Sequence, residues 1–233
     1  AFLLRGDPVE GEKALRRLLE MAPQSGAARR TLAAVLAARG GEQQWAEAQR
    51  LLEESGADRN LSSLDRRLQA VLLARRGGED NVKKARQILV ELVADPKKAV
   101  AADRLLLARL YEAEGQLRAA RQQYIALVSR TDPDVSHLAL YVDLLLRHEA
   151  YQEADRWLKR LEQAAPDNLG AVGLRVRWLD AQDRTSEIES LVEPVVKKLL
   201  GKLEEDDQKA QLFLSVGNLY SRVKLYPPAG DWY

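Results

Sequence analysis

Apolar residues recur along this chain at i, i+3, i+4 and i+7, as in Leu105, Ala108 and Tyr111 or Leu158 and Leu161. That spacing lines one face of a helix. The pattern predicts helices at 8–22, 25–39, 43–54, 61–76, 81–94, 98–114, 117–130, 135–148, 151–164, 169–182, 185–203 and 207–223, with another starting near Tyr226. No stretch alternates apolar and polar residues for long enough to be a strand, so the expected class is all-α. Helix ends follow from local chemistry. Gly40, Gly77 and Gly115 close first helices, where a left-handed C-cap carries no Cβ penalty. Pro23, Pro96, Pro133 and Pro166 follow second helices, which they cannot continue. Pro194 is expected to kink or restart the helix that contains it.

The helices come in repeating pairs. Leu36-Ala-Ala-Arg-Gly-Gly-Glu42 returns as Leu73-Ala-Arg-Arg-Gly-Gly-Glu79, an offset of 37 that also relates Ala48 to Ala85. Taking the second-helix alanine as anchor, the series is Ala14, Ala48, Ala85, Ala120, Ala154, Ile188 and Ala229, in steps of 34, 37, 35, 34, 34 and 41. Four residues beyond each anchor stand Leu18, Leu52, Leu89, Tyr124, Leu158, Val192 and Tyr233, all apolar. Three before it stand Gly11, Trp45, Val82, Leu117, Tyr151, Thr185 and Tyr226. Small residues recur where two helices must approach closely: Ala33 with Ala48, Ala70 with Ala85, Ala108 with Ala120. The unit is an antiparallel helical hairpin.

The tract Leu107-Ala-Arg-Leu-Tyr111, Gly115-Gln-Leu117, Ala120, Tyr124, Leu127 and Pro133 resembles the tetratricopeptide repeat, a helix–turn–helix unit of about 34 residues. Leu138, Leu145, Tyr151, Ala154, Leu158, Leu161 and Pro166 continue it in phase, and Val216-Gly-Asn-Leu-Tyr220 with Tyr226, Ala229 and Tyr233 follows the family pattern again. Ile188 and Thr185 depart from it. The resemblance implies a right-handed superhelical solenoid over 1–233. It divides into a partial repeat 1–24, full repeats at about 25–58, 60–96, 98–133, 134–167 and 168–205, and a partial repeat 206–233. Both ends fall inside a repeat, so the chain reads as a segment of a longer array. Its cut ends are expected to associate end to end or to fray.

Composition narrows the chemistry. The absence of cysteine excludes disulfides, thiol nucleophiles and thiolate-bound metals, and His137 and His148 alone cannot build a multi-histidine site. No phosphate-binding loop, zinc-protease or nucleophile-elbow motif is present. An enzyme is therefore not expected, nor a metal or cofactor. Thirty-six basic residues against 35 acidic ones give +1, which argues against a whole-chain nucleic-acid footprint. No run approaches the ~20 apolar residues of a membrane span. Asp206 and Asp207 read as a helix boundary, and Trp157 and Trp178 fall beside the core columns, toward neighbouring helices or a partner. Compartment is left open.

In the family that the chain resembles, first helices line a concave groove. Carried over by register, its inward places hold Arg30, Arg67, Arg75, Arg109, Arg147 and Arg177, with Glu112, Asp143 and Asp180 among them. The resemblance thus implies a non-catalytic scaffold that binds a protein or peptide segment, with acidic residues to match the bidentate arginine fork. The competing reading pairs these arginines with neighbouring acids. The carboxylate clamp of chaperone-binding members is not matched, since Leu105, Arg109 and Leu140 stand in its places. Two further classes stay open: an RNA-binding hairpin array of the pentatricopeptide kind, and a regulatory or sensor arm of a larger enzyme or transcription factor.

Overall fold

A computed structural model describes residues 8–53, 62–95, 97, 99–129 and 131–225. The expected positions in Ala1–Arg5 and at Tyr226, Ala229 and Tyr233 lie outside the described residues, as does Pro96. The elements are α1 (Pro8–Met21), α2 (Gly26–Arg39), α3 (Glu42–Glu53), α4 (Ser63–Arg76), α5 (Glu79–Ala94), α6 (Ala101–Ala113), α7 (Leu117–Val128), α8 (Val135–Arg147), α9 (Tyr151–Ala164), α10 (Leu169–Asp180), α11 (Ile188–Leu200) and α12 (Asp206–Arg222). A single 3-10 turn at Thr185–Glu187 precedes α11. Among the described residues there is no strand. The chain forms two compact units, Ala1–Gln123 and Tyr124–Tyr233, the division falling within α7.

In the first unit α2 packs on α3, α4 on α5, and the first helices α2, α4 and α6 are successive neighbours. The small-residue column explains the close approach. Ala33, Ala48, Ala70, Ala85, Ala108 and Ala120 are all fully buried, and Leu52 and Leu89 fill the layer one turn on. In the second unit α8 packs on α9, α10 lies against both, and α11 joins α10 to α12. Ala154 and Ile188 hold the anchor place there, Ile188 as buried as the alanines. The larger side chain is housed by Val172, Val176, Val192, Val196 and Val216 around it.

Three expectations need correction. Ala14 and Leu18, placed in the core columns, are exposed, and α1 instead buries Leu15 and Glu12. Among the described residues α1 packs chiefly on α2, so only that stripe is covered. Pro194 does not restart its helix, since α11 runs unbroken through it from Ile188 to Leu200. Gly40 and Gly77 do have positive φ, 76° and 72°, but ψ is 177° and −168°. That is the extended positive-φ region open essentially to glycine alone, rather than the left-handed helical region.

The left-handed helical C-cap occurs elsewhere, and with the repeat period. After α6 the N–H of Gln116 donates to Tyr111 O at 2.8 Å and that of Gly115 to Glu112 O at 2.9 Å, the paired bonds of a Schellman motif. The same pair follows α8 (Ala150 to Leu145 O, Glu149 to Leu146 O) and α10 (Arg184 to Leu179 O, Asp183 to Asp180 O). Gly115, Glu149 and Asp183 have φ of 70°, 56° and 55°. Two of these three turns thus place a Cβ where glycine fits best.

Candidate partner-binding face

Each first helix carries the stripe that sequence register assigns to a groove, and the structure sorts its arginines into two kinds. Arg30, at the fifth place of α2, donates to Asp65 at 3.0 Å. Arg67, at the fifth place of α4, grips Asp103 through Nε at 2.6 Å and a terminal nitrogen at 2.9 Å. Both carboxylates are buried, at 3% and 1% side-chain exposure. Each also occupies the third place of its helix, where it accepts the backbone N–H of the cap residue: Ser62 to Asp65 at 3.2 Å, Val100 to Asp103 at 3.3 Å. An arginine of one repeat therefore pins the N-terminus of the next first helix. Hydrogen bonding by Asp103 raises the Arg67 guanidinium pKa further, against the opposing effect of burial.

By register, the next step of this ladder would place an arginine at Leu105 and an aspartate at His137. Both partners are replaced together, so neither charge is left unpaired there. In the second unit a different place is used. Asp143 accepts Arg147 at 2.9 Å within α8 and Arg177 of α10 at 2.5 Å. Burial pushes the Asp143 carboxyl up, but hydrogen bonds from Arg177 and Arg147 outweigh it and hold the group below its ordinary range.

Arg75 and Arg109 remain. Both are exposed, and neither forms an ion pair with the described residues. Arg75 shares an α4 stripe with Leu64, Leu68 and Val71, spaced i, i+4, i+7 and i+11. Leu64 and Val71 are 56% and 41% exposed, so the stripe presents apolar surface beside its cation. On α6, Ala102, Leu105 and Arg109 share the corresponding face. Beside Arg75, a cleft of about 340 Å³ is lined by Trp45, Glu42 and Arg76 among others. There Arg76 stacks over the Trp45 ring at 4.7 Å and binds Glu42 at 2.6 Å, which leaves Arg75 as its free charge.

The two tryptophans beside the core columns are engaged within the fold. Trp157 meets Tyr141 edge to face at 5.4 Å, and Tyr141 stacks on Tyr124 at 5.8 Å. The Trp178 indole N–H donates to Tyr151 O at 3.0 Å, with Arg175 and Arg184 over its ring at 5.0 and 5.3 Å. Arg175 in turn binds Asp155 at 2.6 Å and Glu162 at 2.7 Å. His148 is an exposed C-cap and His137 is half-buried in the first turn of α8. Asp206 and Asp207 form the first turn of α12, where negative charge suits the helix dipole. Among the described residues no three His, Asp or Glu side chains gather in a metal-binding group, and no helix is long and apolar enough to cross a membrane.

Solved structures share this fold. A tetratricopeptide repeat protein from Parabacteroides merdae is similar over 99% of this chain and 86% of its own, with a TM-score of 0.61 and 14% identity. PilF from Pseudomonas aeruginosa is similar over 90% of this chain and 92% of its own, with a TM-score of 0.60 and 18% identity. No family model and no curated protein matches the chain.

Proposed function

We propose, for a chain folded as tetratricopeptide-like helical repeats, that it is a non-catalytic scaffold whose first-helix faces bind segments of partner proteins. The observation that carries this reading is the division among its arginines. Arg30 and Arg67 are occupied by buried aspartates, whereas Arg75 and Arg109 form no ion pair with the described residues, Arg75 beside the exposed Leu64 and Val71 of α4 and Arg109 beside Ala102 and the half-buried Leu105 of α6. A free guanidinium beside an apolar stripe suits a segment that combines apolar and acidic residues, because the fork can bind a carboxylate through two bonds. Arg177 gives one bond to Asp143 and so ties α10 to α8, while Arg147 binds the same carboxylate within α8.

The test is a selection of phage-displayed random dodecapeptides on the 233-residue chain, followed by calorimetry on R75E/R109E. A class of acidic peptides should be selected that loses at least tenfold in affinity to the double variant. Equal affinity of every selected peptide for both proteins would contradict the reading. A tight, steeply salt-dependent affinity for single-stranded RNA, with no peptide selected, would replace it with the RNA-binding class.

A further inference from the structure

The face between α10 and α12 holds a second opening, in the unit that lacks the buried Arg–Asp ladder. A cleft of about 370 Å³ is walled by Leu169, Leu174 and Leu219, floored by Gly173, and rimmed by Arg177 and Arg222. That volume lies toward the small end of the range for ligand pockets.

Gly173 occupies the fifth place of α10, where α2 and α4 carry Arg30 and Arg67. Glycine is the poorest helix former after proline, so a mid-helix glycine normally answers to a close neighbour. None is present. A Cβ built at Gly173 meets only Leu219 Cδ1, at an ordinary 3.7 Å. The glycine therefore leaves the floor open without serving the packing of α10 on α12.

The rim is cationic. Two arginines and no carboxylate line this cleft. Arg222 is exposed and has no ion pair with the described residues, while Arg177 gives one bond to Asp143. Asp180 lies beyond them, in an adjoining cleft of about 360 Å³ that shares Arg177, Arg222 and Val223.

We propose that the α10–α12 cleft is an anchor site for a partner segment, taking one bulky apolar side chain over Gly173 and a neighbouring carboxylate on Arg222 and Arg177. This rests on the reading of the chain as a protein-binding scaffold, but it assigns a separate site on a separate unit. The apolar walls exclude a purely acidic ligand, and the cationic rim, where Arg222 has no ion pair with the described residues, selects a carboxylate within two residues of the buried side chain.

The experiment uses the 233-residue chain and the dodecapeptides selected on it, with calorimetry on G173L, R222E and R75E/R109E and circular dichroism as a check on folding. Gly173→Ala serves as the companion to G173L: it should raise the melting temperature, showing that α10 tolerates a side chain there. The expected result is a peptide class with Leu, Met, Phe or Trp within two residues of Asp or Glu. Its affinity should fall at least tenfold in G173L and in R222E and stay within twofold in R75E/R109E. Should every selected peptide bind G173L and R222E as tightly as the parent, the anchor site is wrong. Peptides lost only in R75E/R109E would then leave the α4–α6 face standing, and a selection yielding no peptide would remove both sites. If G173L fails to fold, R222E alone decides.

Discussion

Arg67 and Asp103, 36 residues apart in sequence, are joined by two hydrogen bonds of 2.6 and 2.9 Å, and the Asp103 side chain is only 1% exposed. The pair links one first helix to the cap of the next, so a charged residue of the face serves repeat stacking.

Removing one partner should therefore be costly. Arg67→Met strands a buried carboxylate with the Val100 N–H as its remaining cap bond, and is expected to cost about 3 kcal/mol. The double variant R67M/D103L removes both charges and should recover more than half of that loss, since an apolar pair of similar volume restores the balance. Urea titrations of the three proteins, followed by circular dichroism, give the comparison. Equal losses in the single and double variants would show that the pair is not what holds the two repeats.

The anchor column makes a second comparison possible. Ala85 is fully buried between α4 and α5, and Ala85→Leu should cost about 1–3 kcal/mol by overpacking. Ala14 holds the same repeat place but is exposed, so Ala14→Leu should change stability by less than about 0.5 kcal/mol. Melting temperatures of the two variants should differ by several degrees.

Glycine should improve the turn after α8. Glu149 has φ of 56°, is exposed and makes none of the described ion pairs. Glu149→Gly relieves the left-handed backbone cost and should stabilise the protein by about 1 kcal/mol. Asp183→Gly should act in the same direction. A lower melting temperature in both variants would mean that these side chains hold the turns.

Acid should weaken the second unit through Asp143. Its folded carboxyl is held below the ordinary range, so the unfolded chain binds the proton more readily. The stabilisation is then fully present above the unfolded value of about 4 and is lost as pH falls through the lower folded value. Asp143→Asn should flatten the stability profile below about pH 4 while lowering stability at neutral pH. Denaturant midpoints between pH 2 and 7 provide the readout, and an unchanged acid slope in D143N would rule out this assignment.

What the sequence made legible depended on how local the signal was. Period and small-residue spacing located the hairpins, because Ala48, Ala85, Ala120 and Ala154 must be small wherever two helices touch. Ala14 broke the column because burial depends on a neighbour and not on its own repeat place. The left-handed turns at Glu149 and Asp183 carry no glycine to announce them. Basic residues on the first-helix face were visible, but their pairing was not. The signal for it lay in the Ser62 to Asp65 and Val100 to Asp103 cap spacings, 35 and 36 residues from Arg30 and Arg67. Nothing local announced the open floor at Gly173, which needs α12 beside it to become a cleft.

The most direct test separates the two kinds of arginine in one comparison of two double variants. R30M/R67M removes the ladder, and R75E/R109E reverses the two free cations. For each, peptide affinity and the urea midpoint are measured together. The account predicts that R75E/R109E loses at least tenfold in affinity for peptides selected on the α4–α6 face, with an unchanged midpoint. It also predicts that R30M/R67M loses stability, with affinity retained wherever the protein stays folded. The reverse assignment, affinity lost with the ladder and stability lost with Arg75 and Arg109, would contradict it.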